Sequence, residues 1–303
     1  MDGERPGLAE AVVVWAFYGL MLAAVVTTYS RIDPVELYHV DETGLRGGLG
    51  RALVAVDFPI ALVAVPLALL AALRLGTRLA LVAAVVASVL CWAVAVPGVV
   101  DQGDLDARTV NVISAIGVAI ALALTVVAVV KTGVGSAKRR LPGDPVRIVI
   151  AAALLLVGLP WLFAEVGAYI GHVALLGDVF LSNELRPTSD NPLHRVVHLG
   201  EHHGGYGVYL AVTALLLSRV LPRLRGGWRT FFTFYLSLML LYGLALVAED
   251  GWGEQVVARD WASWTIPSVL EPGPTIAWGV LLVSAVALCL VWLRSGRERA
   301  RPS

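Results

Sequence analysis

From Ala11 to Thr28 the chain carries no charged residue, and runs of this kind recur from one end to the other. At 1.5 Å of rise per residue, about 20 apolar residues in a helix cross the hydrocarbon core of a bilayer. Of 303 residues 58% are hydrophobic and 15% charged, the composition of a polytopic membrane protein. No polar block is long enough to fold by itself. Residues 1–303 are therefore expected to form a single integral membrane domain, an all-α helix bundle. About eight transmembrane helices are placed near 9–28, 52–73, 78–98, 109–130, 147–171, 204–221, 230–248 and 275–293. The first run is too long for a signal-peptide core, and its leader, Met-Asp-Gly-Glu-Arg-Pro-Gly, has no net positive charge, so it is kept as a span.

Charge placement sets the expected orientation, because Lys and Arg concentrate in short cytoplasmic loops. Arg74 and Arg78, Lys131 to Arg147, Arg219 to Arg229, and Arg294 to Arg301 all fall on one side. Both termini lie there, and so are expected in the cytoplasm. The opposite side takes every acid except Asp2, Glu4, Glu10, Asp144 and Glu298, together with all six histidines. That face should attract cations from the extracytoplasmic side of the cell membrane. Membrane lipid is the expected partner and nucleic acid is not; protein partners are left open.

Four of the six histidines lie between Asn191 and Gly205. Asn191 can cap a helix that starts at Pro192, with Gly204-Gly205 the first place for it to loosen. Such a helix puts His194, His198 and His202 on one face, with Glu201 one turn after His198 and His203 alongside. Imidazoles at this spacing beside a carboxylate suit a divalent transition metal, zinc foremost, with iron or copper permitted. In span five, Glu165, Tyr169 and His172 form a stripe beyond a kink expected at Pro160. A short loop joins that stripe to the histidine helix, bringing Glu165 and His172 within reach. Asp57, inside span two, and Glu249, at the end of span seven, complete the candidate ligand set.

The run His198-Leu199-Gly200-Glu201-His202 fits the pattern H-x-x-E-H, which resembles the motif of the inverted zinc peptidases. The likeness covers five residues. It implies that His198 and His202 hold zinc and that Glu201 is the base, with Glu249 or His194 as third ligand. His198 with His202-His203 also looks like one box of the histidine-box di-iron oxygenases, which carry several boxes on the cytoplasmic side; this chain has one cluster, on the other side. The expected function is a metal-dependent hydrolase acting on a lipid, lipid-linked or peptide substrate, with Glu201 or Glu165 taking the proton. The alternatives are a non-catalytic metal- or haem-binding subunit and a metal-cation transporter. Transport fits less well, because the middles of the spans lack ionisable groups and no repeat is evident.

Three further expectations concern the acidic side. A short surface helix should follow Asp33-Pro34, and Gly47-Gly48-Leu49-Gly50 should act as a hinge. Val257, Trp261 and Trp264 share a helical face, the pattern of an interfacial helix lying as a lid or collar. Spans three and four are scaffold. Cys91 and Cys289 are expected as small buried hydrophobes.

Overall fold

The computed structural model describes residues 6–31, 43–96, 99, 109–135, 140–165, 185–186, 194–195, 203–257 and 259–298. Among these the chain is helical apart from its turns, the irregular stretch 259–275 and one two-residue strand pair. The helices are α1 (Ala9–Tyr29), α2 (Gly44–Ala55), α3 (Ala61–Leu75), α4 (Arg78–Cys91), α5 (Val112–Thr132), α6 (Asp144–Val157), α7 (Leu159–Glu165), α8 (His203–Leu217), α9 (Gly226–Trp252) and α10 (Ile276–Glu298). A π-helical turn, Val56–Ile60, joins α2 to α3, and 3₁₀ turns extend α4 (Trp92–Ala95) and α8 (Ser218–Arg223). Among the described residues, seven helices are long and apolar enough to cross a membrane: Ala9–Tyr29, Gly44–Leu75, Arg78–Ala95, Val112–Thr132, His203–Arg223, Gly226–Val257 and Ile276–Arg294. The span expected near 147–171 is interrupted at Gly158, two residues before Pro160, and its last residues lie outside those described.

Local chemistry explains the joints. Gly76, at φ 69°, ends α3 in the left-handed region, and Thr77 Oγ1 accepts the Ala80 N–H to start α4. The chain thus reverses within a two-residue turn. Pro66 has no N–H to give to Leu62 four residues earlier, and the hydroxyl of Tyr235 donates to that carbonyl at 2.6 Å instead. A proline that would weaken an isolated helix becomes a tie between α3 and α9.

The central rods are Gly44–Leu75 and His203–Arg223, most of whose residues are buried. In α4 and α10, by contrast, Leu79, Val82, Val89, Val280 and Val283 point outward. A close crossing pairs Gly207 of α8 with Gly243 of α9: a Cβ on either would stand 2.5 Å from the other's carbonyl oxygen. Glycine lets these backbones touch. Gly48 plays the same part against α1, where a Cβ would collide with Ser30 Oγ and stand 2.6 Å from Val26 O. The expected glycine hinge is therefore corrected: residues 44–50 are helix, and at Gly48 the missing side chain admits a neighbouring helix. The surface helix expected after Asp33-Pro34 lies outside the described residues. Residues 259–275 form no helix, so the expected lid is corrected too; Trp264 stacks on Trp252 with ring centroids 4.1 Å apart. Cys91 and Cys289 are buried free thiols, as expected.

One end of the bundle carries an ion-pair network. Arg219 reaches Glu10 at 3.4 Å and also bonds Asp144; Arg223 reaches Glu10 at 3.4 Å, and Arg147 reaches Asp144 at 3.2 Å. Arg147 Nε also donates to Ser218 Oγ at 2.7 Å. These bonds link the starts of α1 and α6 to the end of the α8 rod. At the same end Arg74 Nε donates to Thr132 Oγ1 at 2.9 Å. Burial alone would raise the carboxyl of Asp144. It is outweighed by the Leu141 N–H, the Arg219 hydrogen bond and the charges of Arg219 and Arg147, which hold the group below the usual carboxylate value.

Two predictions follow from the packing and the network. Gly207→Ala, adding one methyl where two backbones meet, should cost about 2 kcal/mol or more in detergent unfolding. Gly19→Ala, whose Cβ meets nothing within 4 Å, should be neutral or stabilising by up to about 1 kcal/mol. Because the folded-state carboxyl of Asp144 is depressed, its stabilisation is full above the unfolded value of about 4 and is lost as pH falls through the lower folded value. Asp144→Asn should remove that part of the acid-side slope in unfolding temperature measured against pH.

Candidate functional site

At the opposite, acidic end, α7, α8 and α9 are locked by buried carboxylates. Trp161 of α7 lies across Gly204 and Gly205; a Cβ on Gly204 would meet its ring at 2.7 Å. The two glycines thus sit inside the first turn of α8 and accommodate an indole, which corrects the expectation that the helix loosens there. Trp161 Nε1 donates to both oxygens of Glu254, at 3.0 and 2.8 Å, in the π-helical turn Gly253–Val257 that continues α9. The N–H of Gly204 donates to buried Asp250. A carboxylate at this position satisfies one of the free N–H groups at the start of α8 and lies at the positive end of the helix dipole. Trp161, Glu254, Asp250 and Gly204 together form a closed clamp. Sequence reasoning missed Trp161 and Glu254; the indole of Trp161 next to Pro160 offered no pattern, because its partner lies 93 residues away.

The candidate residues meet this clamp to different degrees. His203 begins α8 and is buried, its ring set edge to face on Phe58 with centroids 6.3 Å apart. Glu249 Oε2 accepts the Val269 N–H at 3.3 Å. Glu165 closes α7, one helical turn beyond Trp161, and is described in its backbone only. His194 and Arg195 pair antiparallel with Arg186 and Leu185. The helix expected from Pro192 is therefore absent at His194, and this histidine does not share a helical face with His198. The β-branched Val196 and Val197 that follow favour extended backbone. His172, His198, Glu201 and His202 lie outside the described residues, as does Tyr169 of the expected stripe. Among the described residues no group of three His, Cys, Asp or Glu side chains is arranged to hold a metal ion.

Asp57 is 2% exposed within the π-helical turn. Turns of this type recur at functional sites, because the extra residue opens the helix wall. Its Oδ1 lies 2.6 Å from Ser114 Oγ, which is also 2.9 Å from the carbonyl of Asn111. Asn111 flanks the carboxyl, and Oδ2 accepts no hydrogen bond among the described residues. Span four, expected as plain scaffold, thus supplies the polar contacts of the deepest acid. Phe58, the next residue, stacks edge to face on Tyr206 and Tyr242 as well as His203. The turn that buries Asp57 therefore also carries the aromatic contact to the first residue after the histidine pattern.

Compared with known proteins, the chain matches no family model, no curated protein and no solved structure.

Removing the acid of the clamp should loosen the start of α8. A hydrogen bond to a charged group contributes about 1.5–3 kcal/mol. Asp250→Ala should cost about that much in unfolding, with faster hydrogen exchange at residues 203–207; unchanged exchange there would show that the start of α8 is fixed by other contacts.

Proposed function

We propose that this chain is a multi-pass membrane protein whose segment 191–205 builds a His/Glu metal site at the acidic, extracytoplasmic end of the bundle, with both termini in the cytoplasm. In this reading the site is hydrolytic. His198 and His202 hold a divalent transition metal, zinc first, and the metal lowers the pKa of a bound water. Glu201 takes the proton from that water, with Glu165 as the second candidate base. Further ligands come from His194, His203, His172, Glu249 and Asp57. The substrate is a lipid, lipid-linked or peptide amide or ester presented at the membrane surface.

The observation that carries this reading is the clamp of Trp161, Glu254 and Asp250 on Gly204. It fixes the chain two residues after His202, and a metal site needs its ligands held on a rigid support. Charge supports it as well: the described acids Asp57, Glu249, Asp250 and Glu254 all belong to elements at this end, which favours a cation there. A second reading, a non-catalytic metal- or haem-binding subunit, draws on the same residues. Asp57, Asp250 and Glu254 are each engaged in hydrogen bonds that join helices, as a structural role requires.

The purified protein should carry close to one equivalent of a transition metal, and the double variant His198→Ala, His202→Ala should carry none. Absence of metal from the wild-type protein would end the site proposal. Glu201→Gln then separates the two readings: metal retained with turnover of an ester or amide probe lost supports the hydrolase, whereas a wild-type protein that binds metal and turns over no such probe supports the subunit.

A further inference from the structure

A second feature lies away from the histidine segment: a cavity of about 100 Å³ between the 3₁₀ end of α4, the middle of α9 and the start of α10. Phe58, Trp92, Tyr235, Tyr242, Leu270 and Trp278 form most of its wall. Of the four donor-bearing side chains among these, all but Trp92 spend their donors on backbone carbonyls. Tyr235 donates to Leu62 at 2.6 Å, Tyr242 to Leu270 at 2.9 Å and Trp278 to Glu271 at 2.7 Å. What remains facing the space is ring and hydrocarbon. A water needs two to four polar partners, and this wall offers it fewer, so the cavity is dry or holds an apolar guest.

The position of the cavity selects the guest. Tyr235 and Tyr242 stand seven residues apart on α9, so the wall runs roughly 10 Å along the helix axis. Trp92 is partly exposed, and α4 and α10, the helices that flank the opening, turn valine and leucine outward. Between two spans with such faces, the surrounding medium is lipid. The volume is of the order that admits a benzene-sized guest in engineered cores, about 150 Å³, which suits several methylenes and excludes a whole lipid. At the acidic mouth, Leu270 is followed by exposed Glu271, and Glu249 is bonded to the neighbouring Val269 N–H. The exposed Glu271 carboxylate repels an anionic headgroup and attracts an ammonium.

We infer that this cavity is a binding site for one acyl chain of an ammonium-bearing phospholipid, such as phosphatidylethanolamine, from the leaflet at the acidic end. The tail fills the space by close packing. Bulk lipid is equally apolar, so the tail gains no transfer energy, and selectivity comes from the headgroup against Glu271. The site involves none of the histidine segment and stands whether or not that segment binds metal.

The test is native mass spectrometry of the full chain released from bilayers of equimolar phosphatidylethanolamine and phosphatidylglycerol with matched acyl chains. Wild-type protein should retain one phospholipid, with phosphatidylethanolamine favoured about fivefold, the worth of one exposed ion pair. Ala95→Phe, which projects a ring from the cavity wall into the space, should lose the retained lipid while keeping its unfolding temperature; Leu62→Phe asks the same question from α3 should the first variant fail to fold. Glu271→Gln should keep the lipid and abolish the preference. Equal retention by wild type and both filled variants would mean surface lipid only and overturn the site. Phosphatidylglycerol retained as well as or better than phosphatidylethanolamine would overturn the headgroup assignment.

Discussion

Lipid is as apolar as leucine, so helices surrounded by it gain nothing by hiding leucine from it; their association rests on close packing and on polar bonds between them. Both devices are visible here, and they are concentrated in the two central rods. Gly207 against Gly243 and Gly48 against α1 bring backbones into direct contact. Tyr18 with Thr213, at 3.3 Å, and Trp15 with Thr125, at 3.1 Å, attach α1 to α8 and α5 through side-chain hydrogen bonds. The outer helices α4 and α10 carry the branched aliphatic faces that such an environment tolerates.

Charge is divided between the ends of this frame in two distinct manners. At the basic end three arginines share two carboxylates, so each acid is matched by more than one cation. At the acidic end Glu254 accepts from an indole N–H, and Asp250 and Glu249 accept from backbone N–H groups. The first arrangement ties helix ends through ion pairs; the second ties helix ends and the adjoining chain through hydrogen bonds to carboxylates.

Much of the frame was legible in the sequence, because span length and the absence of charge are one-dimensional properties. The break near Pro160, the burial of the two cysteines and the placing of Asp57 inside a span followed from rules of the same kind. Contacts that depend on the register of distant helices were not legible. Trp161 finds Glu254, and Ser114 finds Asp57, only once three helices are packed. Periodicity also misled where two structures satisfy one pattern. Trp261 and Trp264 suit a flat helix, yet they lie on irregular chain where Trp264 stacks on Trp252. The glycines at 47–50 suited a hinge but serve a helix crossing. His194 suited a helix with His198 but lies in an extended pair. Three of the seven candidate ligands, His172, His198 and His202, and the candidate base Glu201 lie outside the described residues.

The π-helical turn at Val56–Ile60 lies where α2 becomes α3, with Pro59 inside it. A turn of this pitch accommodates one residue more than the regular coil on either side, and the proline removes a rung from the ladder of carbonyl bonds. The two halves of the Gly44–Leu75 rod are therefore joined by a turn that departs from the regular helix. Asp57 and Phe58, both on this turn, tie it to Ser114 of α5 and to His203 of α8, so the irregular joint is held from two sides.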